Sequence, residues 1–104
     1  MTTMVRITLC MSVAAGRGAD FEQAWRDVAV EARRATGNLR QDLLRDPNDP
    51  SSFVSTSDWV SREAFERFEK SPEQDLLVAP LVHLRESVQM HMHELLVHVD
   101  AGRE

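Results

Sequence analysis

Four histidines, two tryptophans and one cysteine are the residues of this chain best suited to chemistry. Neutral imidazole, with a pKa near ~6.5, takes a proton from an acidic phenol or an activated carbon. His83 falls on a segment that reads as the last helix, from which it is expected to reach a cavity between helices and sheet. His91, His93 and His98 fall on one long final strand. His91 and His93 are two residues apart, so their side chains share one face about 7 Å apart. Two such histidines begin a metal site, but no third ligand converges and Glu94 points the other way. No metal is expected. Met90 and Met92 alternate with them, which predicts methionines toward the helices and histidines toward a subunit interface. Trp59 closes a strand where a helix begins, a corner that a buried aromatic fills well. Trp25, Phe21, Phe65 and Phe68 read as core residues, and an apolar cavity for a planar ligand would need such walls. Asn38, Arg40 and Gln41 lie on one strand, with Asn38 serving the turn after Gly37. Cys10 alone makes neither an intramolecular disulfide nor a cysteine metal cage. No nucleophile elbow, phosphate loop or dinucleotide fingerprint occurs.

The elements that must position these residues alternate along the chain. Val5, Ile7, Leu9, Met11 and Val13 interleave with Arg6, Thr8, Cys10 and Ser12, which predicts a strand over 5–13. Ala14 to Gly18 is a turn. A helix is expected over 20–35, opened by Asp20 and Gln23 as a capping box. Phe21, Trp25, Val28, Ala29 and Ala32 share its apolar face, and Gly37 ends it in a left-handed conformation. A second strand over 38–46 leads into a turn-rich loop, Pro47 to Ser51. A third strand runs over 53–59. Ser61 caps a short helix to about Lys70 that buries Ala64, Phe65 and Phe68. Ser71-Pro72-Glu73-Gln74 starts another helix, which Pro80 is expected to break or kink. A long strand over 87–99 closes the chain.

Strand, helix, strand, hairpin, strand, helix, strand is the ferredoxin-like split βαβ order, an α+β fold with an antiparallel sheet. Ile7, Leu9 and Met11 should face the helices, and Thr8, Cys10 and Ser12 should face outward. Helices on one face leave the other needing cover. A homodimer is therefore predicted, its two sheets closing into a dimeric α/β barrel.

Composition narrows the classes further. The 104 residues are 42% hydrophobic, enough for one globular domain spanning 1–104. No apolar run approaches the ~18 residues of a membrane span, and Met1 to Ile7 do not read as a signal peptide. A cytoplasmic protein without membrane attachment is expected. There are 17 acidic and 12 basic residues, the basic ones scattered. No nucleic-acid partner is expected, because phosphate recognition concentrates lysine and arginine on one face.

The stretch Phe53-Val-Ser-Thr-Ser-Asp-Trp59-Val-Ser61-Arg-Glu-Ala64-Phe65 is a strand ending in tryptophan, then x-Ser-x-x-Ala-aromatic opening a helix. With Gly37-Asn38-Leu39 and Leu43-Leu44-Arg45-Asp46 upstream and Ala79-Pro80-Leu81 downstream, it resembles the antibiotic biosynthesis monooxygenase family over roughly 5–99. That family forms small dimeric α/β barrels. The resemblance implies oxidation of an aromatic polyketide or similar polycyclic phenol to a quinone with molecular oxygen, using no cofactor, neither metal nor flavin. It also implies a small-molecule aromatic substrate as partner. In the quinone-forming branch the tryptophan matching Trp59 lies in the substrate cavity and takes part in catalysis, stacking on a ring or donating its indole N–H to a quinone oxygen. Trp59 and His83 are thus the candidate catalytic residues, and Trp25, Leu9, Ser55, Phe65 and Phe68 the candidate substrate-binding ones. Several positions depart from the family. Leu9 and Ser55 stand where members carry asparagine, and Phe65 where some carry tyrosine. Phe68 stands where many carry histidine, which argues against haem. These departures keep open an alternative, a non-catalytic binding or assisting subunit for a polyketide cyclase or oxygenase.

Overall fold

The computed structural model of the protein describes residues 3–102, so Met1 and Thr2 of the N-terminal stretch read above lie outside the described residues. The elements are β1 (Val5–Val13), α1 (Gly18–Ala32), β2 (Asn38–Asp46), β3 (Asp49–Trp59), α2 (Arg62–Glu69), α3 (Pro72–Leu84) and β4 (Arg85–Glu94). The four strands form one sheet in the order β2-β3-β1-β4, with every adjacent pair antiparallel. This is the expected ferredoxin-like α+β arrangement. Among the described residues no helix is long and apolar enough to cross a membrane.

Strand parity sorts the two faces. Val5, Ile7, Met11 and Val13 are buried under the helices, while Cys10 is exposed on the other side. Opposed residues of an antiparallel pair share a face. Met92 opposes Ile7 and Met90 opposes Leu9, so both methionines face the helices. His91 opposes Thr8 and His93 opposes Arg6, so both histidines stand on the outer face, where their rings stack 6.3 Å apart. The core lies between sheet and helices in two clusters. One gathers Met11, Val13, Phe21, Phe53 and Leu81, and the other Val5, Ile7, Trp59, Ala64 and Phe65.

Several boundaries differ from the sequence reading, each for a local reason. Helix α1 starts at Gly18 without a side-chain cap. Asp20 lies inside its first turn and pairs with Arg17 at 2.7 Å, where its charge complements the helix dipole. The helix ends at Ala32, and two turn-like bonds carry the chain on, Ala35 N–H donating to Ala32 and Asn38 N–H to Ala35. Gly37 does adopt a positive φ, +96°, but at the entry to β2 rather than at the helix end. The β2–β3 turn is tighter than the five-residue loop expected, because Asp46 opposes Asp49 across Pro47-Asn48. Asp46 accepts the Asn48 N–H at 2.8 Å, which closes the turn. Pro80 does not break α3. Ser71 caps that helix by accepting from Gln74 N–H, and its packing on α1, with Leu81 buried, carries it through the proline. Strand β4 ends at Glu94, opposite Val5, because β1 offers no further residue to pair. Leu95 N–H still bonds to Met4 at 2.8 Å, whereas Leu96, Val97 and Val99 are largely exposed.

The outer face carries a row of polar side chains, Arg40, Asp58, Arg6 and His93, across the four strands, with the Asp58 carboxylate between two arginines. Arg6 grips Asp58 with two hydrogen bonds, 2.7 and 3.0 Å. These bonds, aided by the guanidinium charge, hold the buried Asp58 carboxyl below its ordinary range against the opposing effect of burial. The folded chain therefore binds this proton less readily than the unfolded chain. The resulting stabilisation is complete above the ordinary aspartate value of 3.8 and is lost as pH falls below it. Asp58→Asn is expected to cost about 1–2 kcal/mol at neutral pH, discounted because Arg6 is 41% exposed. Urea unfolding at a series of pH values checks this. The gap between variant and wild type should shrink in acid.

Candidate active site

Alternation along β3 places Phe53, Ser55, Ser57 and Trp59 on the face turned toward the helices, opposite Met11, Leu9, Ile7 and Val5 of β1. Large apolar residues at both ends and two small serines between them leave a hollow under α1, α2 and α3. The hollow is a cavity of about 290 Å³ between sheet and helices. Trp25 and Val28 of α1, Phe65 and Phe68 of α2, and Val78 and Leu81 of α3 contribute to its wall. Trp59 is 1% exposed and sits against Phe65, ring centroids 5.7 Å apart in an edge-on arrangement, and against Phe68 at 5.2 Å. Such aromatic contacts add to the burial of area and fix ring orientation.

Polar groups enter this apolar space from few directions. Trp25 Nε1–H donates to Ser55 Oγ at 2.9 Å, bridging α1 to β3. Trp59 Nε1–H donates to Ser57 Oγ at 3.0 Å. Gln41 Nε2 donates to the Ala29 carbonyl at 3.0 Å and ties β2 to α1. The charged residues lining the cavity are Glu69, which is exposed, and Arg85, which is half-buried.

The cavity brings together Leu9, Trp25, Ser55, Trp59, Phe65 and Phe68, which the sequence reading had picked from four separate elements. It does not include His83. That histidine is exposed on α3, on a different side of the helix from Leu81, which is buried. The expectation that His83 reaches the cavity is corrected accordingly. The indole N–H of Trp59 is also already engaged by Ser57, so stacking and packing are what its ring offers a ligand. Ser57, Gln41 and Arg85 were missed as lining residues. Ser57 was within reach of the sequence, since it shares strand parity with Ser55 and Trp59. Gln41 needed the β2–β3 register, which pairs it with Ser57. Among the described residues no group of three or more histidine, cysteine or acidic side chains is placed to hold a metal.

Comparison with known proteins agrees with this architecture. The family model described as antibiotic biosynthesis monooxygenase matches residues 4–79. No protein of curated function matches by sequence. Among solved structures, SnoaB of Streptomyces nogalater, a cofactor-independent oxygenase, superposes with a TM-score of 0.87 at 22% identity, covering 96% of this chain and 100% of that one. A candidate antibiotic biosynthesis monooxygenase of Nitrosomonas europaea gives 0.82 at 20% identity, covering 92% and 93%. PA3566 of Pseudomonas aeruginosa gives 0.79 at 22% identity, covering 93% and 98%. At these identities the superpositions establish the fold. The family match spans β1, β2, β3 and the Trp59 corner, and the chain belongs to the antibiotic biosynthesis monooxygenase family.

Proposed function

We propose that the protein is a cofactor-free oxygenase that converts an aromatic polyketide or similar polycyclic phenol to a quinone with molecular oxygen. The observation that carries this reading is the aromatic-walled cavity beside Trp59, largely apolar, with Ser55 and Ser57 on its sheet side and Gln41, Gln74, Glu69 and Arg85 as its other polar lining. A planar ring system held there lies between Trp25, Phe65, Phe68 and Trp59, out of bulk water. In the reaction the activated ring CH₂ loses a proton to give a carbanion or enolate. That anion passes one electron to oxygen, and the radical pair recombines as a peroxide. Loss of water then leaves the new carbonyl, so one oxygen atom ends in the quinone and the other in water. The substrate supplies every electron. The protein's part is to bind, orient and desolvate the substrate. His83, exposed and outside the cavity, has no part in this scheme.

A second reading is a binding or assisting subunit without turnover. It is favoured by the absence, among the described residues, of a histidine lining the cavity. The working unit in either reading is a homodimer. Its support is the outer sheet face, which bears Thr8, Cys10, His91 and His93 and which none of the three helices covers.

One set of measurements tests both. Incubation with an anthrone-type substrate in air should yield quinone above the uncatalysed rate, with Trp59→Phe lowering it about tenfold through misplacement of the ring. Ligand binding without quinone, across several such substrates, selects the assisting subunit. Sedimentation should give twice the chain mass of 11.8 kDa, and a monomer would overturn the dimer.

A further inference from the structure

Both indole N–H groups of this chain end on serine hydroxyls of one strand, Trp25 on Ser55 and Trp59 on Ser57. An indole N–H only donates, so each serine oxygen is the acceptor in its bond. That uses one lone pair of each hydroxyl and directs its proton elsewhere. Among the described residues neither hydroxyl hands that proton to a protein acceptor. Ser55 and Ser57 are two apart on β3, so both hydroxyls stand on the cavity side, about 7 Å apart at the backbone. Around them the wall is largely apolar. An undonated hydroxyl in such surroundings is costly, and a bond to a charged oxygen is roughly twice as strong as one to a neutral oxygen.

We infer that Ser55 and Ser57, each held in place by a tryptophan, form a two-donor site for an oxyanion, the ionised phenol or enolate of a planar aromatic ligand. The inference rests on the cavity being the ligand site. It adds that the site selects ligands by an ionisable ring oxygen. It also adds that the site favours their ionisation by stabilising the anion, without a protein base. Hydroxyl donors aimed where negative charge develops are preorganised for that purpose. The charged groups facing the site are Glu69 from α2 and Arg85 from β4. From α1, α3 and the other strands only uncharged residues line it.

The test uses a dihydroxyanthraquinone dye whose visible band shifts when it ionises. The chain has two tryptophans and no tyrosine, and both tryptophans line the cavity, so quenching of intrinsic fluorescence reports entry of the dye. The ionisation midpoint of bound dye is then read from its spectrum against pH. None of the four histidines lines the cavity. Ser57→Ala and Ser55→Ala should each raise the bound midpoint by about one pH unit, a tenfold loss in ionisation constant. Ser57→Thr, which keeps the hydroxyl, should leave it near the wild-type value. Ser57→Cys keeps the volume but donates weakly, so it should shift the midpoint upward even where alanine disturbs folding. Quenching with an unchanged midpoint in the alanine and cysteine variants overturns the inference and leaves the cavity reading intact. A dye that quenches neither tryptophan overturns the cavity reading and this inference together.

Discussion

Trp59→Ala is expected to cost about 3–5 kcal/mol of folding stability, the range for removing a buried aromatic from a core. The ring is 1% exposed and touches both Phe65 and Phe68, so its loss opens a void that neither phenylalanine can fill without leaving its own position. A domain of this size is held by only about 5–15 kcal/mol, so a large part of the total is at stake. At roughly 4–8 °C per kcal/mol, the melting temperature should fall by more than about 10 °C. Trp59→Phe keeps most of the buried area and removes the N–H that reaches Ser57, so it should cost far less. The pair of variants separates the two roles of this residue. Thermal unfolding of both, read beside quinone formation by Trp59→Phe, distinguishes a ring that only fills the corner from one that also orients a ligand. A melting point of Trp59→Ala within a few degrees of wild type would show that the corner is not the packing centre described above.

Gly37→Ala is the second large effect, expected at about 2–4 kcal/mol. Two costs add at this position. Its φ of +96° lies where side-chain-bearing residues are strained. An added Cβ would also lie 2.6 Å from the Cβ of Ala64 and 2.9 Å from Val60 Cγ2, too close for either neighbour to accept without moving. Ala64 is buried on α2 and its N–H is held by the Ser61 cap at 3.1 Å, so it has little room to retreat. The Gly37 carbonyl in turn accepts from Val60 N–H at 2.9 Å, which locks the start of β2 to the end of β3. Pushing the backbone here therefore displaces the same corner that seats Trp59. Denaturant unfolding of Gly37→Ala checks the magnitude. Measured against Ala64→Gly alone, which carries the cost of a glycine inside α2, the double variant Gly37→Ala/Ala64→Gly should recover the part due to the Ala64 contact but not the Val60 contact or the part due to φ.

These two positions differ in how openly the sequence declares them. A tryptophan at the end of a strand followed by Ser-x-x-Ala-Phe announces a packed corner, because cap and aromatic spacing are local rules that the chain obeys before it folds. Gly37 reads locally as a helix terminator. Its actual task, admitting Ala64 of another helix at close range, depends on two segments far apart in sequence. Helix ends show the same limit. Asp20 has the side chain of a cap, but α1 begins at Gly18, so the residue serves as a first-turn charge instead. Pro80 reads as a breaker, yet α3 continues past it because its packing outweighs the lost backbone bond.

What the sequence determined by itself was periodic or local: the element order, the faces of β1 and β4, the capped starts of α2 and α3, and the family whose corner motif surrounds Trp59. Alternation of residue types fixes which side of a strand is buried, since a one-residue slip would turn every apolar side chain to water. Only the tertiary structure decided which residues meet at the cavity. His83 is close to the cavity-lining Leu81 in the chain but turned away by the rotation of an α-helix, a matter of angle that its residue type does not encode. Ser55 and Ser57 are ordinary strand serines until α1 brings Trp25 over the first and the β3 corner sets Trp59 beside the second. Their hydroxyls gain a direction from those two indole hydrogen bonds, and hydrogen-bond direction is a property of packed neighbours rather than of residue type.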